Sequence, residues 1–80
     1  MEKELVEFIV KSLVDNPDQV DVRVVEGERS TIIELRVSEA DIGKVIGRQG
    51  RIAKALRTIV SASATKNGKH TSLEILDWKF

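Results

Sequence analysis

The chain has no cysteine, no tyrosine, one proline and one histidine in 80 residues. Without cysteine there is no disulfide framework, no thiol nucleophile and no thiolate zinc site. The lone His70 has no Ser, Cys or acid arranged beside it for catalysis and is expected as an exposed loop residue. With scattered carboxylates as its only company, it argues against a metal site, and no cofactor is expected. No apolar run approaches the ~18 residues that span a bilayer. Met1-Glu2-Lys3-Glu4 also lacks a basic region ahead of its apolar residues. These absences predict a cytoplasmic protein with no membrane partner.

One further absence is positional. Between Ile42 and Leu73 there is no Asp or Glu, while seven Lys or Arg stand there. The formal net charge of the whole chain is zero. Residues 1–41 carry 11 acidic and 5 basic side chains, a net charge of −6. Residues 42–80 carry 2 acidic and 8 basic ones, a net charge of +6. A neutral protein sorted in this way presents one positive surface, suited to a polyanion.

What is present points to one small domain, 1–80. Its core is modest and its expected net stability is about 5 kcal/mol or less, so self-association would help. Leu5, Phe8, Ile9 and Leu13, with Val6 and Val10 alongside, recur at helical spacing and predict an amphipathic helix over about 2–14. Pro17 ends it. Val20, Val22 and Val24 alternate with polar residues, as do Ile33, Leu35 and Val37, so the simplest reading is a hairpin turning at residues 27–30. Ser38-Glu39-Ala40-Asp41 has the form of a capping box, with Asp41 reaching back to the start of a short helix over about 39–45. A second helix begins near Gly50 or Arg51 and runs to about Thr65, closed by Asn67-Gly68. A last strand alternates from Thr71 to Asp77.

The order is therefore α-β-β-α-α-β, an α+β fold. Its hairpin is antiparallel, and the helical crossover makes the last strand a parallel neighbour of the second. Three helices are expected on one face of this three-stranded mixed sheet. The other face is solvated, through Asp21, Arg23, Glu34, Arg36 and Glu74.

In Gly43-Lys44-Val45-Ile46-Gly47-Arg48-Gln49-Gly50, two glycines three apart join two helices. Glycine allows left-handed angles and close approach of another backbone. The N–H groups opening the following helix lack intrahelical partners and carry the positive end of its dipole, so an anion is favoured there. Arg48 and Arg51 add charge, and Gln49 can donate to a phosphate or sugar oxygen. Gly-x-x-Gly is a weak pattern by itself, and a plain helix–turn–helix joint would look the same. Helices on both sides, Ile46 before the first glycine and basic neighbours favour the functional reading.

Val45-Ile46-Gly47-Arg48-Gln49-Gly50-Arg51 resembles the signature loop of the KH domain, and the element order resembles its type II form. Across essentially the whole chain it is similar to the small stand-alone bacterial KH proteins of the KhpA type. That resemblance implies single-stranded RNA binding: Gly47, Arg48, Gln49 and Gly50 would clamp the backbone of about four nucleotides, with Ile46 in the groove wall. It also implies homodimers or pairing with a second KH protein. One departure is visible: KH loops place a large aliphatic three residues after the second glycine, where this chain has Ala53, with Ile52 one residue early.

The RNA-binding set expected is Gly43, Lys44, Ile46, Gly47, Arg48, Gln49, Gly50, Arg51 and Lys54. Arg51, Lys54 and Arg57 share one side of the second helix, spanning roughly 120°. Arg57, Lys66 and Lys69 would extend the track. Phe8, Trp78 and Phe80 are the aromatics, and none lies near the loop or inside a strand. A stacking platform on the sheet is thereby excluded, whereas a backbone clamp needs none. Trp78 and Phe80 are expected to cap the edge of the core.

The apolar arc of the second helix covers about 200°, twice what a core-facing helix needs. Ala53, Leu56 and Val60 face one way. Ile52, Ala55, Ile59 and Ala62 are turned from it; either the helix is fully wrapped by a small core or, the favoured reading, these residues form the candidate dimer interface. Two functions follow. One is a non-enzymatic RNA chaperone or post-transcriptional regulator. The alternative is a KH-fold dimerisation or protein-interaction module with weak RNA binding. A nucleotide-using enzyme is disfavoured, and no small-molecule substrate is expected, because no Gly-Lys-Ser/Thr and no strand-linked Gly-x-Gly-x-x-Gly is present.

Overall fold

The structure is a computed structural model and describes residues 2–66, 68 and 70–78, with only the backbone of Glu2 and of residues 63–66. The first helix, α1 (Glu2–Leu13), turns Val6 and Val10 fully inward, and Val14 just beyond it is also buried. This differs from the stripe expected. Ile9 is half-buried against the core, but Leu5, Phe8 and Leu13 are 42 %, 72 % and 39 % exposed. Apolar residues cover about 200° of this helix, so spacing alone could not say which of two overlapping stripes faces inward. The shorter valines do, as suits close packing of a helix on a sheet.

A turn at Pro17–Gln19 leads into β1 (Val20–Glu26), which pairs antiparallel with β2 (Ser30–Val37), from Val20 opposite Val37 to Glu26 opposite Thr31. The Gly27 N–H bonds the Ser30 carbonyl at 2.7 Å and closes the hairpin. The last strand, β3 (His70–Asp77), lies parallel to β2 on its other edge, in register from Ser30 opposite His70 to Val37 opposite Asp77. The three-stranded mixed sheet and its strand order are those expected. His70 is exposed as expected, but it opens β3 instead of lying in a loop. On the outer face Asp21 stands opposite Arg36 and Arg23 opposite Glu34, cross-strand pairs of opposite charge. The inner face contributes Val22, Ile33, Leu35, Val37 and Leu73 to the core.

Between β2 and β3 the chain forms a short 3-10 turn at Glu39–Asp41, then α2 (Ile42–Ile46), the glycine loop, and α3 (Arg51–Lys66). Ala53, Leu56 and Val60 are the buried stripe of α3, as its periodicity predicts. Lys66 ends α3 instead of lying in the loop after it. Asn67, Lys69 and Phe80 lie outside the described residues, as does the side chain of Lys66.

The capping box does not form. Ser38 makes no side-chain cap bond, and its carbonyl instead accepts the N–H of Asp41 at 2.8 Å. Asp41 is fully buried and turns toward the end of α1. Three donors in the turn after α1 receive it, the N–H groups of Asp15 and Asn16 and the Asn16 Nδ2, where a capping box would offer a single N–H.

Candidate nucleic-acid interface

The site is built on the joint between α2 and α3. The N–H of Gly47 bonds the Gly43 carbonyl at 2.9 Å and ends α2. Gly47 then takes φ 78° and ψ 175°, a region essentially restricted to glycine. Gln49 is left-handed at φ 57° and ψ 26°, and Gly50 has φ 73°. The chain returns to helical angles at Arg51 (φ −64°, ψ −39°). Left-handed Gln49 is unfavourable for a residue with a Cβ. It throws the side chain outward at the tip, where Arg48 and Gln49 are both exposed.

The helix opening is less empty than expected. The Gly50 N–H bonds the Gly47 carbonyl at 3.1 Å, and the Arg51 N–H bonds that of Arg48. These groups are consumed inside the turn, so an incoming anion must find donors elsewhere, the side chains of Arg48, Gln49 and Arg51 among them. The Arg51 Nη2 lies 3.5 Å from Gln49 Oε1, keeping the two together on one side of the loop.

Arg51, Lys54 and Arg57 are exposed along α3 as the helical spacing predicts. Arg57 is also tied down: its Nε donates to the Leu73 carbonyl of β3 at 3.4 Å, so it leans over the β3 side of the helix. Ile46 is 38 % exposed beside the loop. Gly43 is open, with nothing within 4 Å of where a Cβ would stand.

Lys44 is placed differently from the rest of the expected set. Its Nζ lies 2.7 Å from Asp15 Oδ2 and 3.6 Å from Asp41 Oδ1. The bond to Asp15 raises its pKa above the ordinary lysine value, and Asp41 adds to the effect. Asp41 itself accepts the N–H groups of Asp15 (3.2 Å) and Asn16 (3.0 Å) and the Asn16 Nδ2 (3.0 Å). Burial pushes its carboxyl up, but those hydrogen bonds and Lys44 outweigh it, leaving the pKa below the usual aspartate value. This network escaped the reading of the sequence, because Asp15 and Asp41 lie outside the acid-free stretch and fold back against it. The three-residue spacing of Asp41 and Lys44 was the available signal.

The KH domain family of KhpA and KhpB matches residues 3–75. The chain belongs to this family. Similar relatives are each called RNA-binding protein KhpA. That of Borreliella burgdorferi is 62 % identical over 76 residues, 95 % of this chain and 93 % of that one. That of Clostridium perfringens is 61 % identical, covering 92 % and 99 % of the two chains. That of Aquifex aeolicus is 57 % identical, covering 94 % and 95 %. Among solved structures, the KH-like part of Era, crystallised with MgGDPNP and nucleotides 1506–1542 of 16S ribosomal RNA, superposes with a TM-score of 0.62 at 20 % identity. The match takes in 95 % of this chain and 29 % of that one, and supports the type II KH fold. Among the described residues no helix is long and apolar enough to cross a membrane.

Within this KH domain the candidate dimer residues separate into two groups. Ala55 and Ala62 are exposed and Ile59 is 40 % exposed, on a face of α3 away from its buried stripe. Ile52 is half-buried, packed against the core and beneath Gly47.

Proposed function

We propose that this protein binds single-stranded RNA without catalysing a reaction, and acts as an RNA chaperone or post-transcriptional regulator. The observation that carries the reading is the loop: Gly47, Gln49 and Gly50 all hold positive φ, and Arg48, Gln49 and Arg51 project from the turn they make. A backbone kept low by glycine lets a sugar–phosphate chain approach closely, while the projecting side chains grip its oxygens. Ile46 supplies an apolar wall for the bases, and Lys54 and Arg57 continue the positive track along α3. The name shared by the relatives, RNA-binding protein KhpA, supports the same reading. The test is RNA affinity at fixed salt for wild type and for the double variant Arg48→Asp/Gln49→Asp. Two negative charges in the clamp should weaken single-strand binding by at least about tenfold while the protein stays folded. Unchanged affinity in the folded variant overturns the clamp.

A second property rests on a separate observation, the exposed Ala55, Ile59 and Ala62 on α3. Small side chains around one large aliphatic let a second helix approach closely. We infer that this face pairs with a second copy or another KH protein, placing two clamps on one RNA with the gain of effective concentration. Mass measurement in solution should show wild type as a dimer and Ile59→Asp as a monomer. A monomeric wild type excludes the homodimer.

A further inference from the structure

Five residues are too few for a helix to hold itself in place, so the position of α2 is set by its anchors. One anchor is apolar: Val45 is fully buried, and Ile42 packs against the core. The other is polar and comes from far away in the chain. The buried Asp41 carboxylate, immediately before α2, accepts from Asp15 N and from Asn16 N and Nδ2, all in the turn that closes α1. Lys44, one helical turn along, reaches the same place, at 2.7 Å from Asp15 and 3.6 Å from Asp41. The last residues of α2 then run directly into Gly47. At 1.5 Å per residue, the Asp41 anchor stands only about 9 Å from the first glycine of the loop.

We propose that Asp41, with Lys44, is a latch that positions the Gly47–Gly50 loop from behind, and that Lys44 acts through this latch and not by touching RNA. The proposal rests on the RNA-clamp reading above and assigns a different role to one residue that the sequence placed in the clamp. Its physical basis is directional. A carboxylate with three donors from one turn can sit in one place, whereas an apolar contact would let a five-residue helix slide or rotate. Rotation of α2 carries Gly47 with it, and Gly47 has no freedom to compensate because Ile52 fills the space beneath it. The Lys44–Asp15 pair is solvent-accessible, with side chains 44 % and 73 % exposed. Such pairs contribute little to stability. Here the pair holds the ammonium on the α1 side of the helix.

The experiment compares wild type, Asp41→Asn, Lys44→Gln and the clamp variant Arg48→Asp/Gln49→Asp. Each is titrated against labelled single-stranded oligouridylate and mixed-sequence RNA over a series of salt concentrations. Amide resonances of Gly47 and Gly50 are followed in the RNA-free proteins. In Asp41→Asn an amide group faces donors, so the latch opens. The expected result is moved Gly47 and Gly50 resonances and an affinity about tenfold lower. Lys44→Gln should weaken binding while leaving the slope of log K against log salt nearly unchanged. A lysine that neutralised one phosphate of a single strand would, on removal, flatten that slope by about 0.7. Flattening of that size in Lys44→Gln overturns the assignment, as do unmoved resonances with wild-type affinity in Asp41→Asn. Should Asp41→Asn not fold, Asn16→Ala removes one of the three donors and leaves the backbone two, with the same readouts and smaller shifts expected. If the clamp variant binds as wild type does, the underlying reading fails instead. The resonances of the RNA-free protein report on the latch in either case.

Discussion

A Cβ placed on Gly47 would stand 2.6 Å from Cγ1 of Ile52 and 2.9 Å from its Cβ and Cδ1. The first glycine of the loop is therefore demanded twice, by its backbone angles and by the isoleucine packed beneath it. Gly50 is demanded once, by φ 73°, with nothing within 4 Å. This accounts for the departure at residue 53, where the KH pattern expects a large aliphatic. Ala53 is buried at 4 % exposure, and Ile52 supplies the apolar bulk one residue earlier, directly under the loop.

Gly47→Ala should destabilise the protein by about 2–4 kcal/mol, the sum of a glycine-only conformation and an overpacked contact. Urea unfolding measures it. A double-mutant cycle with Ile52→Ala separates the two parts. The packing share should vanish in the Ile52→Ala background while the backbone share persists. A purely additive cycle would remove the contact from the explanation.

Gln49→Gly should act in opposite directions on stability and on binding. Relief of the left-handed strain at φ 57° should raise stability by about 0.5–1 kcal/mol. Loss of the amide at the tip should weaken RNA binding. Thermal unfolding and RNA titration on the same preparation check both signs.

On α1 the exposed aromatic and the buried valine should respond in inverse order to their size. Phe8→Ala, at a residue 72 % exposed, should change stability by less than about 0.5 kcal/mol. Val10→Ala, at a residue with no exposure, should lower stability by about 1.5–3 kcal/mol. Equal effects would mean that the helix presents the other stripe.

The latch fixes the sign of a pH dependence. The Asp41 carboxyl is held below its ordinary value of 3.8, so its contribution is complete above that value and is lost as pH falls through the lowered one. Lys44 is raised above 10.5, so its contribution is complete below that value and is lost as pH rises through the raised one. Chemical unfolding from pH 2 to pH 6 should show wild type and Asp41→Asn converging at the acid end. A difference that stays constant across that range would exclude ionised Asp41 as the source.

How much was legible in the sequence can be judged residue by residue. The sheet was legible because alternation in Val20–Val24, Ile33–Val37 and Thr71–Asp77 reports a two-sided environment locally, and crossover rules leave one arrangement. The loop was legible because the required backbone angles select glycine, and Gly47 and Gly50 stand where two helical patterns break. The inward face of α1 was not, because Leu5, Phe8 and Leu13 compete with Val6 and Val10 on the same helix. The role of Asp41 was not, because a capping box and a long-range anchor share the same four residues.

By itself the sequence determined the order of elements, the positions of the glycine turn and the basic stripe of α3, since each follows from propensity and spacing between near neighbours. It also showed an acid-free stretch from Ile42 to Leu73. Only the tertiary structure decided which of those charges face outward. Folding brings Asp15 and Asp41 against Lys44, leaving Arg48, Arg51 and Lys54 exposed around the loop. Charge along a chain is counted by position, whereas an ion pair is decided by distance. Pairings such as that of Lys44 with Asp15, far apart in the chain, exist only once the core has closed.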